Sequence, residues 1–144
     1  MRAILINSAD ETVTETELSE DAQSAFEEIR HLCNCQWLQT VQLHEGVFAW
    51  VDEEGLLKSP TPDKFFRIGL PENQIMAGNA VITGIEDDDI ASLPDDITLD
   101  LIKHQVEFPN VKFSGIEQVN DTVDHPIFGR IGRVTRKAKF EPLS

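Results

Sequence analysis

The chain has no tyrosine, two cysteines and only 12 lysines and arginines among 144 residues. Each scarcity excludes something. So few cations, against 26 aspartates and glutamates, give a formal charge of -14, and a body that negative repels nucleic acid and anionic membranes. Cys33 and Cys35 are separated by one residue, a spacing that supplies no long-range covalent staple. No long hydrophobic run occurs. The apolar stretch Ala3 to Ile6 near the start is too short for a signal-peptide core or a membrane span, so a cytoplasmic protein is expected. Also missing are the glycine-rich phosphate loops and the G-x-S-x-G nucleophile turn.

What is present suffices for a folded chain. Hydrophobic residues make up 40% of the sequence, and chains of roughly this length bury about 70% of the surface they expose when unfolded. One domain over residues 1–144 is expected. Within it, residues 1–90 read as a sheet-and-helix core and residues 91–144 as a C-terminal extension ending in a basic strand.

Residues 3–6 and 12–18 read as a hairpin, the second arm carrying the β-branched Thr12-Val13-Thr14. Ser19 is the expected N-cap of a helix over about residues 20–32, with Glu20 and Asp21 at the positive end of its dipole. Ala22, Ala25, Phe26, Ile29, Leu32 and Cys33 form its apolar stripe, and Asn34 stops it. Trp37 to Leu43 and Val47 to Val51 read as a second hairpin turning at Gly46. The proline-punctuated stretch Leu57 to Pro71 reads as an irregular connection laying Phe65 and Phe66 over the sheet. Ala80 to Ile85 is a buried strand, closed by Glu86-Asp87-Asp88-Asp89. Thr98 caps a second, short helix over about residues 99–104, and strand pieces at 106–108 and 111–113 are broken by Pro109. The predicted class is therefore α+β: a mixed, mostly antiparallel sheet with one main helix packed on one face.

Taken in order, Met1-Arg2-Ala3-Ile4-Leu5-Ile6, the Thr12-Val13-Thr14 strand, the helix, the turn Val51-Asp52-Glu53-Glu54-Gly55 and the strand Ala80-Val81-Ile82-Thr83-Gly84 followed by acids resemble an uncharacterised domain-of-unknown-function family. Its members are small proteins of phages, plasmids and their bacterial hosts. The resemblance covers residues 1–90 and implies an accessory role on a mobile element. It brings no catalytic residues with it.

Several constellations invite a chemical reading. His31, Cys33, Cys35 and His44 are chemically suited to zinc, but Cys-x-Cys lacks the two-to-four-residue ligand spacing, so no metal site is assigned. Asp87 and Asp89 begin like a calcium loop, yet Ser92 stands where its glycine belongs and Thr98 where its final glutamate belongs. Asp124-His125, with His104 elsewhere, has no nucleophile beside it, and an Asp-His-Pro step commonly caps a turn. No catalytic residue and no cofactor is expected.

Charge is segregated along the chain. Arg130, Arg133, Arg136, Lys137 and Lys139, less Glu141, leave residues 125–144 at +4 and the rest at -18. The leading expectation is a non-enzymatic interaction protein of phage or plasmid type. Its carboxylates at Glu15, Glu17, Glu20, Asp21, Glu27, Glu28, Asp52, Glu53, Glu54, Glu86, Asp87, Asp88 and Asp89 would meet the basic surface of a host protein by imitating phosphates. The basic C-terminal segment is a candidate for self-association. The alternative is an anionic, nucleotide-like ligand held by Trp37, Trp50, Phe65 and Phe66 with Arg130, Arg133 and Arg136, since guanidinium forks suit phosphate.

Overall fold

A computed structural model describes residues 1–57, 62–69 and 74–143, with the backbone alone of Thr135. It divides into two compact units, residues 1–109 and 110–144.

The first unit is built on a six-stranded sheet. β1 (Arg2–Asn7) and β2 (Thr12–Glu17) form a hairpin in register from Arg2 opposite Glu17 to Asn7 opposite Thr12. β3 (Leu38–His44) and β4 (Val47–Asp52) form another, turning at Gly46, whose φ of +73° suits a residue without Cβ. β7 (Asn79–Glu86) lies between the hairpins, giving the order β2-β1-β7-β4-β3. β8 (Asp89–Ala91) folds back on the end of β7 through Asp87 and Asp88, both at positive φ. Aspartate tolerates that left-handed region better than most residues, which lets two acids make a tight turn.

Alternation along β1 and β7 explains the layering, because successive side chains on a strand point to opposite faces. Ile4, Ile6, Ala80 and Ile82 pack on one face with Phe66, Ile68, Leu93 and Ile102. Ala3 and Val81 pack on the other, against α1 (Ala22–Leu32) through Ala25, Ile29 and Cys33. The first face is covered by β5 (Phe65–Ile68), which joins β6 (Met76–Ala77) and β9 (Val106–Glu107) in a small sheet, and by α2 (Leu99–Gln105). Gly84 on β7 has a packing reason to lack a side chain. A Cβ there would meet the backbone carbonyl oxygen of Ser92 at 2.4 Å.

The second unit is a two-stranded ribbon of β10 (Val111–His125) and β11 (Gly129–Pro142), with a bulge between Phe113 and Gly115. Phe113 and Phe140 face each other across its base, ring centroids 5.8 Å apart.

This architecture corrects the expected class. Of the described residues, 54% are in strands and 15% in helices, in three antiparallel sheets with two short helices. It is therefore a mostly β protein and not an α+β domain organised by one main helix. The strands were undercounted for two physical reasons. The ribbon has two wet faces, so residues 114–125 show no clean hydrophobic alternation. The prolines around Phe65 mask a strand; Phe65 and Phe66 are both buried, and Pro60 and Pro71 lie outside the described residues. All pairings among the described residues are antiparallel, so the sheet is not mixed.

Helix boundaries need a smaller correction. Asp21, not Ser19, caps α1: its carboxylate accepts from the backbone N–H of Ser24 at 2.9 Å and from the Ser24 hydroxyl at 2.8 Å. Ser19 is held instead by Glu28, donating its backbone N–H and its hydroxyl at 2.8 and 2.7 Å. Asn34, at φ +49°, ends the helix by donating its N–H to the His31 carbonyl. Thr98 caps α2 as the sequence indicates, accepting from the Leu101 N–H at 3.2 Å. No described helix is long and apolar enough to cross a membrane.

Candidate functional site

The outer side of α1 gathers many of the acids singled out in the sequence. At its N-terminal half, Ala22, Gln23 and Phe26 border a hollow of about 440 Å³ whose other walls are Trp50, Ile85, Asp88, Asp89 and Ile90. Sequence and fold explain its composition. Phe26 lies one turn before the buried Ile29, on the flank of the helix stripe, and is 37% exposed. Trp50 is on β4 beneath it, the two rings edge-to-face with centroids 6.1 Å apart and planes at 80°. The Trp50 indole N–H donates to the Thr83 hydroxyl at 2.8 Å, which fixes the ring. The Asp87-Asp88 turn then delivers Asp88 and Asp89 to the rim, where no described cation pairs with either carboxylate.

At the C-terminal half of α1, a second hollow of about 600 Å³ is lined by Glu27, Arg30, His31, Cys35, Trp37, Asp52 and Glu54, among others. Arg30 is taken up by Glu27 on its own helix at 2.9 Å. Trp37 is 59% exposed. Along the β2 side of α1, Glu17, Glu27 and Glu28 line a third, shallow depression. Glu17 and Glu20 lie 3.6 and 3.2 Å from the amino group of Met1.

Two of these carboxylates titrate low for local reasons. Asp21 is lowered by the Ser24 hydroxyl and backbone N–H, and Glu28 by the Ser19 hydroxyl and backbone N–H. Both stay ionised well into acid, because these hydrogen bonds favour the charged form.

Other acids stand apart. Glu15 pairs with Arg2 at 3.2 Å, and Arg2 also donates to the carbonyls of Pro94 and Ile97. Glu53, Glu86 and Asp87 are in exposed turns or strand ends and line none of these hollows.

Among the described residues of the first unit, the aromatic side chains assigned to the alternative anion site do not share a hollow. Trp37 and Trp50 line different hollows, each walled by carboxylates, and Phe65 and Phe66 are core residues. Arg130, Arg133 and Arg136 belong to the ribbon, where the register sets Arg130 opposite Asp124 and Arg133 opposite Asp121. Arg133 makes a two-pronged ion pair with Asp121, and that hydrogen bond is the main cause of the lowered Asp121 titration and of the raised Arg133 one. Arg136 faces Gln118. Of the basic strand's cations, Arg133 is thus matched by an ion pair within its own ribbon.

The histidines and cysteines are similarly accounted for. His31 and Cys35 share the second hollow, Cys33 is the buried C-cap of α1, and His44 ends β3. His125 caps the ribbon turn, its Nδ1 accepting the N–H groups of Ile127 and Phe128 at 3.1 and 3.2 Å. Sequence reasoning missed Phe26, placing it in the core; its position at the edge of the stripe was the available signal.

Residues 1–107 match the model of a family described as a domain of unknown function (DUF3846). The chain belongs to that family. No curated protein and no solved structure matches it. The family portion reaches past the stretch carrying the sequence resemblance and takes in α2 and β9. All three hollows around α1 fall inside it, and it ends before β10 begins.

Proposed function

We propose that this protein is a non-enzymatic binding protein that engages a basic partner protein through the acidic, aromatic face around α1. The observation that carries the reading is the hollow in which Phe26 and Trp50 stand beside Asp88 and Asp89. Aromatic faces attract a lysine or arginine head, and a nearby carboxylate completes the recognition of such a side chain. The charge of the unit supports it: residues 1–109 carry -16, since the ribbon's six cations and four acids leave it +2. Association with a basic surface is steered by a field of that sign.

In the mobile-element setting that the resemblance implies, the partner is a host protein, and one that normally holds nucleic acid suits best. The carboxylates flanking α1 would then occupy a groove built for phosphates. The acidic walls around Trp37 and Trp50 favour this reading over an anionic ligand, which they would repel.

Immobilised protein exposed to host lysate tests the proposal, compared with an Asp88→Lys/Asp89→Lys variant and with Trp50→Ala. Basic proteins retained by the wild type, lost with both variants and released by salt are the expected result. Captured proteins indifferent to these changes would remove the support. An ultraviolet-absorbing small molecule released on heating would favour the anionic ligand instead.

A further inference from the structure

Phe26 on α1 and Trp50 on β4 stand nearly at right angles in their shared hollow, with planes at 80° and centroids 6.1 Å apart. They form a corner. The sheet sets the floor beneath it, because alternate side chains on a strand share a face: Thr83 and Ile85 of β7 point to the α1 side with the packed Val81, and Ile85 is opposite Ile90 on β8. Ala22, Phe26, Trp50, Ile85 and Ile90 thus line the hollow without a side-chain acceptor among them. Their one polar atom, the Trp50 indole nitrogen, is a donor already spent on the Thr83 hydroxyl at 2.8 Å. The polar side chains of the described lining, Gln23, Asp88 and Asp89, are all exposed. Pairing of Glu86 with Asp89 across the turn, and the positive φ of Asp87 and Asp88, hold the two rim acids in a defined place.

We infer that this hollow takes a trimethylammonium head and, resting on the reading of a basic partner protein, that the head belongs to a trimethylated lysine of that partner. An unmodified ammonium has three donors that hold water tightly, and pressing them against Ala22, Ile85 and Ile90 would strip that water with no acceptor to replace it. Methylation removes the donors. The positive charge remains, carried by methyl groups that gain both from apolar walls and from ring faces. Asp88 and Asp89 need make no directional bond to such a head, since a carboxylate at the rim attracts it across the gap. A guanidinium suits the corner less well: its planar fork of five donors calls for acceptors in its plane, and the side-chain acceptors here stand at the rim in water. The volume of about 440 Å³ falls within the roughly 300–1,000 Å³ of ordinary ligand sites, which gives room for the head and the end of the lysine stem.

Nuclear magnetic resonance titration of the full chain reads the site through the Trp50 indole N–H and the backbone amides of Phe26 and Asp89. The probes are the Nα-acetyl amides of lysine, of trimethyllysine and of its neutral counterpart with a tert-butyl head, together with tetramethylammonium. Trimethyllysine is expected to shift these signals and to bind about tenfold more tightly than lysine or the neutral probe, a ratio within reach of a cation held by ring faces. Tetramethylammonium should move the same signals. Asp88→Asn/Asp89→Asn keeps residues that tolerate positive φ, and Phe26→Leu keeps an apolar wall without a ring face; each should lose most of the preference while melting as a folded protein. Lysine binding as tightly as trimethyllysine overturns the inference and leaves the basic-partner reading standing. A neutral probe that binds equally well overturns it too, as does a preference that survives both variants. A response to tetramethylammonium but not to trimethyllysine would assign the site to a free quaternary amine and overturn the lysine source. Signals that ignore every probe overturn the whole inference, and the basic-partner reading is then decided separately, by lysate capture and its dependence on Asp88 and Asp89.

Discussion

Trp50 holds Phe26 edge-on at 6.1 Å while its indole N–H is tied to Thr83 at 2.8 Å, so one side chain anchors both the floor of the sheet and the lip of the α1 hollow. The helix stripe therefore has two energetic tiers. Ile29 is fully buried, and Ile29→Ala is expected to cost about 2–5 kcal/mol, the range for emptying a core site. Phe26→Ala loses mainly the aromatic pair and a partial burial, about 1 kcal/mol. Urea denaturation of the two variants should give clearly unequal midpoints.

Gly84→Ala is expected to destabilise by about 1–3 kcal/mol, the usual range for overpacking. The new methyl would meet a backbone oxygen at 2.4 Å, so β8 or the chain after it must shift. The same denaturation assay checks it, and amide exchange should show the loosening concentrated in residues 85–92.

Stability should fall in acid through Asp21, Glu28 and Asp121. Each is lowered in the folded state from its ordinary value of 3.8, 4.5 and 3.8 respectively. A lowered folded value means that the contribution is complete above the ordinary value and is lost as pH falls through the folded one. Thermal melting should therefore hold near neutrality and decline as pH drops through about 4.5 and below. Asp21→Asn/Glu28→Gln should flatten that decline for the first unit, the effect being modest because both groups are exposed.

Binding to a basic partner should weaken with salt, since the screening length shortens from about 10 Å at 0.1 M to about 3 Å at 1 M. Reversing Asp88 and Asp89 should slow association more than it speeds release. Stopped-flow or surface kinetics at two ionic strengths would resolve the two rates, and an unchanged association rate would count against the α1 face as the docking surface.

Much of the first unit was legible because its signals are local. The hairpins at residues 3–18 and 37–51, the strand at 80–85, the Thr98 cap and the stop at Asn34 all follow from alternation, turns or caps. The misreadings arose where position depends on distant chain. Ser19 and Asp21 are both good caps, and the choice was decided by Glu28 reaching back from the next turns to bind Ser19. Phe65 and Phe66 are adjacent yet both buried, which no period-two rule anticipates for a half-exposed strand. The hollow at Phe26 and Trp50 joins residues from α1, β4, β7 and β8, and nothing in their spacing along the chain foretells that meeting.

The place of β1 in the sheet also has a temporal side. Ile4 and Leu5 are flanked on one side by the nearby β2, but their other neighbours are Ile82 and Val81 on β7. At the usual pace of translation, about 5–20 residues per second, a ribosome needs roughly 4–16 s to make the intervening chain. Throughout that interval the nascent β1–β2 hairpin carries an unpaired backbone edge and an uncovered row of isoleucines, the period in which it is most open to capture by a chaperone or by another nascent chain.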